Sequence, residues 1–360
     1  MSQTTSKPGF REFLIANEES LAEEVMSLLW KKFPRYEQIF DEHGKRECKK
    51  DVKYHLLYLS DAVDAESQTI FLQYVQWVKT LFSSISIPYE SFVESLRAME
   101  EVIEKRASSA PPDDMERALG YLRESIKQFS RMPVTRESLI TQENPMAEIA
   151  NEYLTSMLDR DRSRAMKLIL DEVESGRDIR DIYENVFQVS QWEIGRLWQE
   201  NKISVAQEHY CTAVTQLVMS RLYPYIFNRE KNGLVFVGAS VGDELHELGI
   251  RMIADFFELD GWDTYFLGAH MPSDSIVETV REEEAQVLGI SVTIAYHLHK
   301  AKEIIEKVRN HPDLPEVKII VGGYPFNQDP ELWMRIGADG TGTTARDAIA
   351  RAKALIGRQV

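Results

Sequence analysis

"LVFVGAS" (234–240) runs almost directly into "GDELHELG" (242–249). The first stretch is continuously apolar and rich in β-branched and small residues. The second is a polar loop carrying one histidine and several carboxylates. A run with no polar alternation suits a strand covered on both faces, which is how strands of a parallel sheet between helices are buried. Further runs follow at "DTYFLGA" (263–269), "AQVLGISVT" (285–293) and "VKIIVGG" (317–323), with a weaker fifth near "GADGTGT" (337–343). Amphipathic stretches separate them. Residues 233–360 are therefore expected to form a five-stranded, doubly wound α/β domain, with its ligand site at the carboxyl ends of the strands. The histidine loop falls at that end of the first strand.

Upstream of residue 230 the apolar spacing is helical. "MAEIANEYLTSMLD", "DRSRAMKLILDEVESG", "DIRDIYENVFQVSQWEIGRLWQEN" and "SVAQEHYCTAVTQLVMSRLYPYIF" predict four helices over 146–230, with Gly176 as a C-cap and Asp178 and Ser204 as N-caps. Short connections between them predict a bundle. Residues 1–135 form a separate all-α segment, with a break at "ASSAPPDD" (107–114) and a linker at 131–145. At 360 residues and a net charge of −16, the chain is long enough for several domains and offers no general basic surface for nucleic acid. Two distant cysteines, no signal-like leader and no apolar run of membrane-spanning length lead to the expectation of a soluble cytoplasmic protein.

A neutral imidazole at His246 can ligate a metal, and Glu244, two residues earlier, can accept a hydrogen bond from its other nitrogen. Asp243 is the alternative orienting group, and Gly249 leaves room beside the backbone. The competing reading makes His246 a first-turn helix residue with acidic neighbours favoured by the helix dipole. Spacing weighs against it. Forty-one residues separate Gly249 from Ser291; Thr293 follows, and 28 more residues lead to Gly322 and Gly323.

This pattern resembles the cobalamin-binding domain shared by methionine synthase, the corrinoid mutases and the light-sensing transcriptional repressors. The resemblance covers 233–355 and implies a flavodoxin-like (Rossmann-like) fold. It gives His246 the role of lower cobalt ligand, Glu244 its orientation, Ser291 a hydrogen bond to the buried base of the nucleotide tail, and Gly322 and Gly323 the floor of the slot. Thr341, Gly342 and Thr343 resemble the loop that contacts the tail's sugar and phosphate, the alternative being a plain turn before the last helix.

A second resemblance lies in the bundle. Trp198, nine intervening residues, then Glu208 and His209 match the W-x9-E-H signature of the helical cap in cobalamin-dependent photoreceptors. There the indole covers the upper axial group, usually adenosyl. Trp192 and Trp198 also suit plain bundle packing. Where the best-studied repressors have a histidine after the capping tryptophan, this chain has Gln199.

The N-terminal segment resembles the globin-like or related helical sensor domain of photocobilins, in which a bilin accompanies cobalamin. His55, Tyr58 and Trp77, with Tyr54 and Tyr74, are candidate pocket residues for noncovalent biliverdin, with haem and simple core packing as alternatives. Taken together, the resemblances lead to the expectation of a non-enzymatic photoreceptor that binds adenosylcobalamin, with methylcobalamin as the other form. Its output would pass through a homo-oligomer or a separate protein. The rival is a corrinoid shuttle protein that presents methylcobalamin to methyltransferases.

Overall fold

The computed structural model describes residues 9–106 and 108–357. They divide into two compact units: the described residues up to Val134 together with Ile294–His299, and Thr135–Thr293 together with the described residues from Lys300 onward.

The first unit is all-α: α1 (Phe10–Lys32), α2 (Pro34–Ile39), α3 (Glu42–Asp64), α4 (Gln68–Ser84), α5 (Glu90–Lys105) and α6 (Pro112–Gln128). Side chains start these helices where the chain needs them. Asp41 accepts from the Gly44 amide at the head of α3, and Ser67 accepts from the Ile70 amide at the head of α4. The break at "ASSAPPDD" is present, but the aspartates lie in the first turn of α6 and Pro111 takes the cap position. Carboxylates in a first turn favour the positive end of the helix dipole as a cap would.

The second unit contains α7 (Ala147–Leu158), α8 (Arg162–Glu174), α9 (Ile179–Ile182), α10 (Val189–Gln199) and α11 (Val205–Ile226). A π-helical turn, Tyr183–Gln188, joins α9 to α10 into one continuous helix. Four helices therefore pack as a bundle, with Asp178 and Ser204 capping as their spacing predicts. Arg196 of α10 donates to Glu193 and Glu200 and to the Arg136 carbonyl, while Glu193 accepts from the Leu139 amide. A charged group this buried is tolerable only when paired, and these pairs fix the incoming linker to α10.

The sheet comprises β1 (Val235–Ser240), β2 (Asp263–Gly268), β3 (Val287–Ser291), β4 (Lys318–Gly322) and β5 (Gly340–Thr341). All pairings are parallel, in the order β2-β1-β3-β4-β5. The expected fifth strand is real but only two residues long. Helices α12 (Leu248–Leu259), α13 (Ser273–Glu282), α14 (Leu298–Asn310), α15 (Tyr324–Gln328), α16 (Leu332–Arg335) and α17 (Ala345–Leu355) complete the doubly wound arrangement. A Cβ at Gly289 would lie 2.5 Å from the Phe236 ring, which stacks on Phe257 at 4.0 Å. Glycine there admits the Phe236 ring. One hydrophobic cluster runs from Tyr153, Phe187 and Val218 of the bundle to Phe236, Phe256 and Ile349 of the sheet domain. Bundle and sheet thus share a core.

Candidate cobalamin site

The strand order reverses between β1 and β3, the point at whose carboxyl ends a sheet of this kind binds its ligand. Register places Ser240, Ser291 and Gly322 side by side on β1, β3 and β4. His246 lies in the loop before α12 rather than in its first turn. Its Nδ1 is 2.5 Å from Glu244 Oε1, and the same oxygen accepts from the His246 amide at 3.2 Å. The other oxygen of Glu244 accepts from the Thr293 amide at 2.9 Å. The Glu244 side chain is fully buried while the His246 side chain is 57% exposed. A buried carboxylate thus ties the loop after β1 to the end of β3 and holds an imidazole toward solvent.

Three effects set the protonation of His246. The hydrogen bond to Glu244 raises its pKa most, burial opposes this, and the charges of Glu244 and Glu208 add to the rise. Glu208 belongs to the N-terminal turn of α11, so that turn carries a charge that acts on the same imidazole. Glu208 is itself 2.5 Å from His209 Nδ1, and the His209 ring is exposed. Trp198, near the end of α10, is half-buried against the bundle core, Trp192 is half-exposed, and Gln199 is buried.

The slot residues divide into two groups. The Ser291 hydroxyl has no hydrogen-bond partner among the described residues, and a Cβ at Gly322 would meet nothing nearer than the Gly342 carbonyl at 3.9 Å. Gly323 has φ +109, and a Cβ there would lie 2.0 Å from the Val292 carbonyl oxygen. Only glycine fits that turn. Thr341 Oγ1 donates to the Val321 carbonyl at 2.8 Å, the Thr343 hydroxyl donates to Asp347, and a Cβ on Gly342 would strike Ala348 of α17. The structure gives these three residues local jobs in joining β5 to α17. Gly249 faces open space. Asp243, at φ +61, pairs its carboxylate with Lys300 and lies 3.3 Å from His270 Nδ1.

The residues present suit a planar, nucleotide-tailed corrin: an outward imidazole already oriented, a hydroxyl with an unused hydrogen bond at the crevice, and glycine beside it. Sequence reasoning missed His270 and Glu247. His270 Nδ1 accepts from the Asp243 amide at 2.7 Å, and its own amide donates to the Glu244 carbonyl at 2.9 Å. Glu247 accepts from Gln216 of α11 at 2.7 Å and from the Ala269 amide at 3.1 Å. Their only sequence signal was a position at the carboxyl end of β2 or just before α12.

In the N-terminal unit, His55 is buried. Its Nδ1 lies 2.6 Å from the Tyr74 hydroxyl, Tyr58 stacks on Tyr74 at 3.7 Å, and Trp77 is half-buried. Burial pushes the His55 imidazole down to about 3, so it is neutral. A small cavity of about 40 Å³, lined in part by His55, Cys48, Asp51 and Ser95, opens beside it. Burial lifts the Cys48 thiol to about 11, far from a reactive thiolate.

Comparison with known proteins agrees with this geometry. Residues 234–350 match the family described as B12 binding domain, 149–223 match a second B12 binding domain family, and 10–128 match the family described as phycobilisome protein. The chain is 24% identical over 216 residues to a corrinoid protein of Desulfitobacterium hafniense, covering 58% of this chain and 98% of that one. It is 25% identical over 214 residues to the trimethylamine corrinoid protein of Methanosarcina barkeri, covering 58% and 97%. The solved monomethylamine corrinoid protein of Methanosarcina barkeri superposes with a TM-score of 0.52 at 19% identity, over 59% of this chain and 99% of that one, which shows a shared fold. The chain thus matches B12 binding domain families over the sheet domain and over the helical bundle that precedes it. These relatives are corrinoid proteins, and they support the shuttle alternative better than the expected photoreceptor. Among the described residues no helix is long and apolar enough to cross a membrane.

Proposed function

We propose that Thr135–Val360 holds cobalamin with the His246 imidazole beneath cobalt, and that the protein is a corrinoid carrier presenting a cobalt-bound methyl group to separate methyltransferases. The observation that carries this reading is the Glu244–His246 pair: a buried carboxylate fixing one ring nitrogen while Nε2 has no partner among the described residues. Bound cobalamin would supply a cobalt that accepts and gives up a methyl group. Glu244 keeps the Nδ1 proton and raises the basicity of Nε2, Ser291 offers its hydroxyl to the tail's base, and Gly322 and Gly323 let that base pass close to the backbone. Trp198, Glu208 and His209 would cover the opposite face and exclude water. The relatives' names mention methylated amines; the substrate of this chain's partner is left to experiment. Methylcobalamin should be retained by the purified protein in the dark and give an imidazole-ligated spectrum. Failure to bind either methyl- or hydroxocobalamin defeats the proposal.

A second reading is favoured by one feature that the corrinoid relatives' coverage leaves out, the phycobilisome-protein match over 10–128. It supports a sensor in which adenosylcobalamin, joined by biliverdin beside His55, Tyr58 and Trp77, responds to light. Gln199 removes the histidine that ligates cobalt after photolysis in the best-studied repressors. Illumination that changes both the spectrum and the hydrodynamic size of the adenosylcobalamin-loaded protein would select this reading over the carrier.

A further inference from the structure

The chain leaves the second unit after Thr293 and re-enters it at Lys300, and the six residues between them cluster with the N-terminal helices. That excursion begins one peptide bond beyond Thr293, whose amide is the second anchor of Glu244. It contains the 3-10 turn Ala295–His297 and the first two residues of α14, and its hold on α3 is polar and aromatic. Asp61, 1% exposed, accepts from the His299 amide at 3.1 Å and pairs with His299 Nδ1 at 3.0 Å. Tyr296 sets its ring against Tyr58 at 5.2 Å and Tyr54 at 6.1 Å. Tyr58 in turn stacks on Tyr74, which bonds His55.

We propose that Asp61 and Tyr58 are positioning residues for the cobalamin loop. They act by fixing Ile294–His299 and hence the direction in which Thr293 presents its N–H to Glu244. Glu244 divides its two oxygens between His246 and Thr293, so loosening the Thr293 end frees the carboxylate to rotate and the imidazole with it. The effect on cobalamin rests on the function proposed above; the effect on the loop does not.

The test uses the full chain and His299→Ala, which removes the ring partner of Asp61 and keeps the backbone amide. In the ligand-free protein, amide hydrogen exchange over Gly242–Glu247 should quicken about tenfold while the thermal midpoint stays near wild type. With hydroxocobalamin, the Kd should rise about fivefold and the imidazole-ligated fraction of the spectrum should fall. Asp61→Asn, which retains an oxygen acceptor for the His299 amide, should lie close to wild type on both readings, whereas Asp61→Ala should follow His299→Ala. Exchange over Gly242–Glu247 that stays at the wild-type rate in His299→Ala, while exchange over Ile294–His299 rises, overturns the inference even if cobalamin binds. Wild-type protein that takes up no cobalamin removes the proposed function instead, and the ligand-free exchange then decides the coupling alone.

Discussion

His55 and His246 both engage a partner through Nδ1, and there the likeness ends. His55 of α3 sits among helices, 3% exposed, bonded to a tyrosine hydroxyl of α4 and pressed against Phe92 of α5 at 4.7 Å. His246 stands on a loop at a sheet's carboxyl edge, its partner a carboxylate and its ring outside. Burial without charge makes the first imidazole neutral and drives it down to about 3. A buried anion beneath an exposed ring raises the second. A histidine becomes a ready ligand when its surroundings spend themselves on one nitrogen and leave the other outside, and the sheet edge provides that geometry where a helix core does not.

The sharpest way to break this contrast is to remove the exposed ring. His246→Ala should weaken cobalamin binding about a hundredfold, about 2.7 kcal/mol, and abolish the imidazole-ligated spectrum. Unchanged affinity in a titration followed by absorbance would mean that both histidines are structural.

A third buried titratable group extends the comparison to pH. Asp255 of α12 bonds the Tyr183 hydroxyl at 2.7 Å, across the seam between sheet domain and bundle. Burial raises its pKa to about 7, opposed by Tyr183 and Arg251 and assisted by Glu258. A carboxyl raised in the folded state binds its proton more tightly there than in the unfolded chain. The stability it contributes is therefore fullest below the ordinary carboxylate range and is lost as pH rises through about 7. Urea unfolding should show Asp255→Asn gaining about 2 kcal/mol over wild type at pH 8, with the difference shrinking toward pH 5. An equal difference at both pH values would contradict the assignment.

Glu244→Gln tests the orienting partner with the ring left in place. It keeps the shape and removes the charge, so affinity should fall about tenfold, less than on loss of His246 itself. Cobalamin titration at constant ionic strength checks this. The smallest expected effect is at the buried histidine. His55→Leu should change cobalamin affinity by no more than about twofold while costing about 1–3 kcal/mol of folding stability, because it strands the Tyr74 hydroxyl. A larger effect on binding than on unfolding would reverse the roles assigned to the two histidines.

The sheet was legible in the sequence because continuous apolar runs of strand length have few other uses, and the bundle because its caps and helical periodicity agree. The π-helical turn at Tyr183–Gln188 was not legible: its first residue, Tyr183, bonds Asp255, 72 positions away, and such a long-range partner leaves no mark in the local pattern. The Thr341–Thr343 loop, which resembles one that contacts a nucleotide tail and reads equally as a plain turn, has local partners in the structure: strand and helix groups bond the threonine hydroxyls and α17 crowds the glycine. Polar loop composition alone does not distinguish a side chain reserved for a ligand from one satisfied by its neighbours.

Local patterning determined that a parallel sheet would present a His-containing loop at its carboxyl edge, since strand periodicity and short-range spacing are written in adjacent residues. Only the folded chain decided that Glu244 would be wholly buried and bridge to Thr293, that His270 would brace Asp243, and that six residues after β3 would leave for the N-terminal helices. Those outcomes depend on which groups lose water together when distant segments meet, and desolvation at such meetings is a property of the three-dimensional packing.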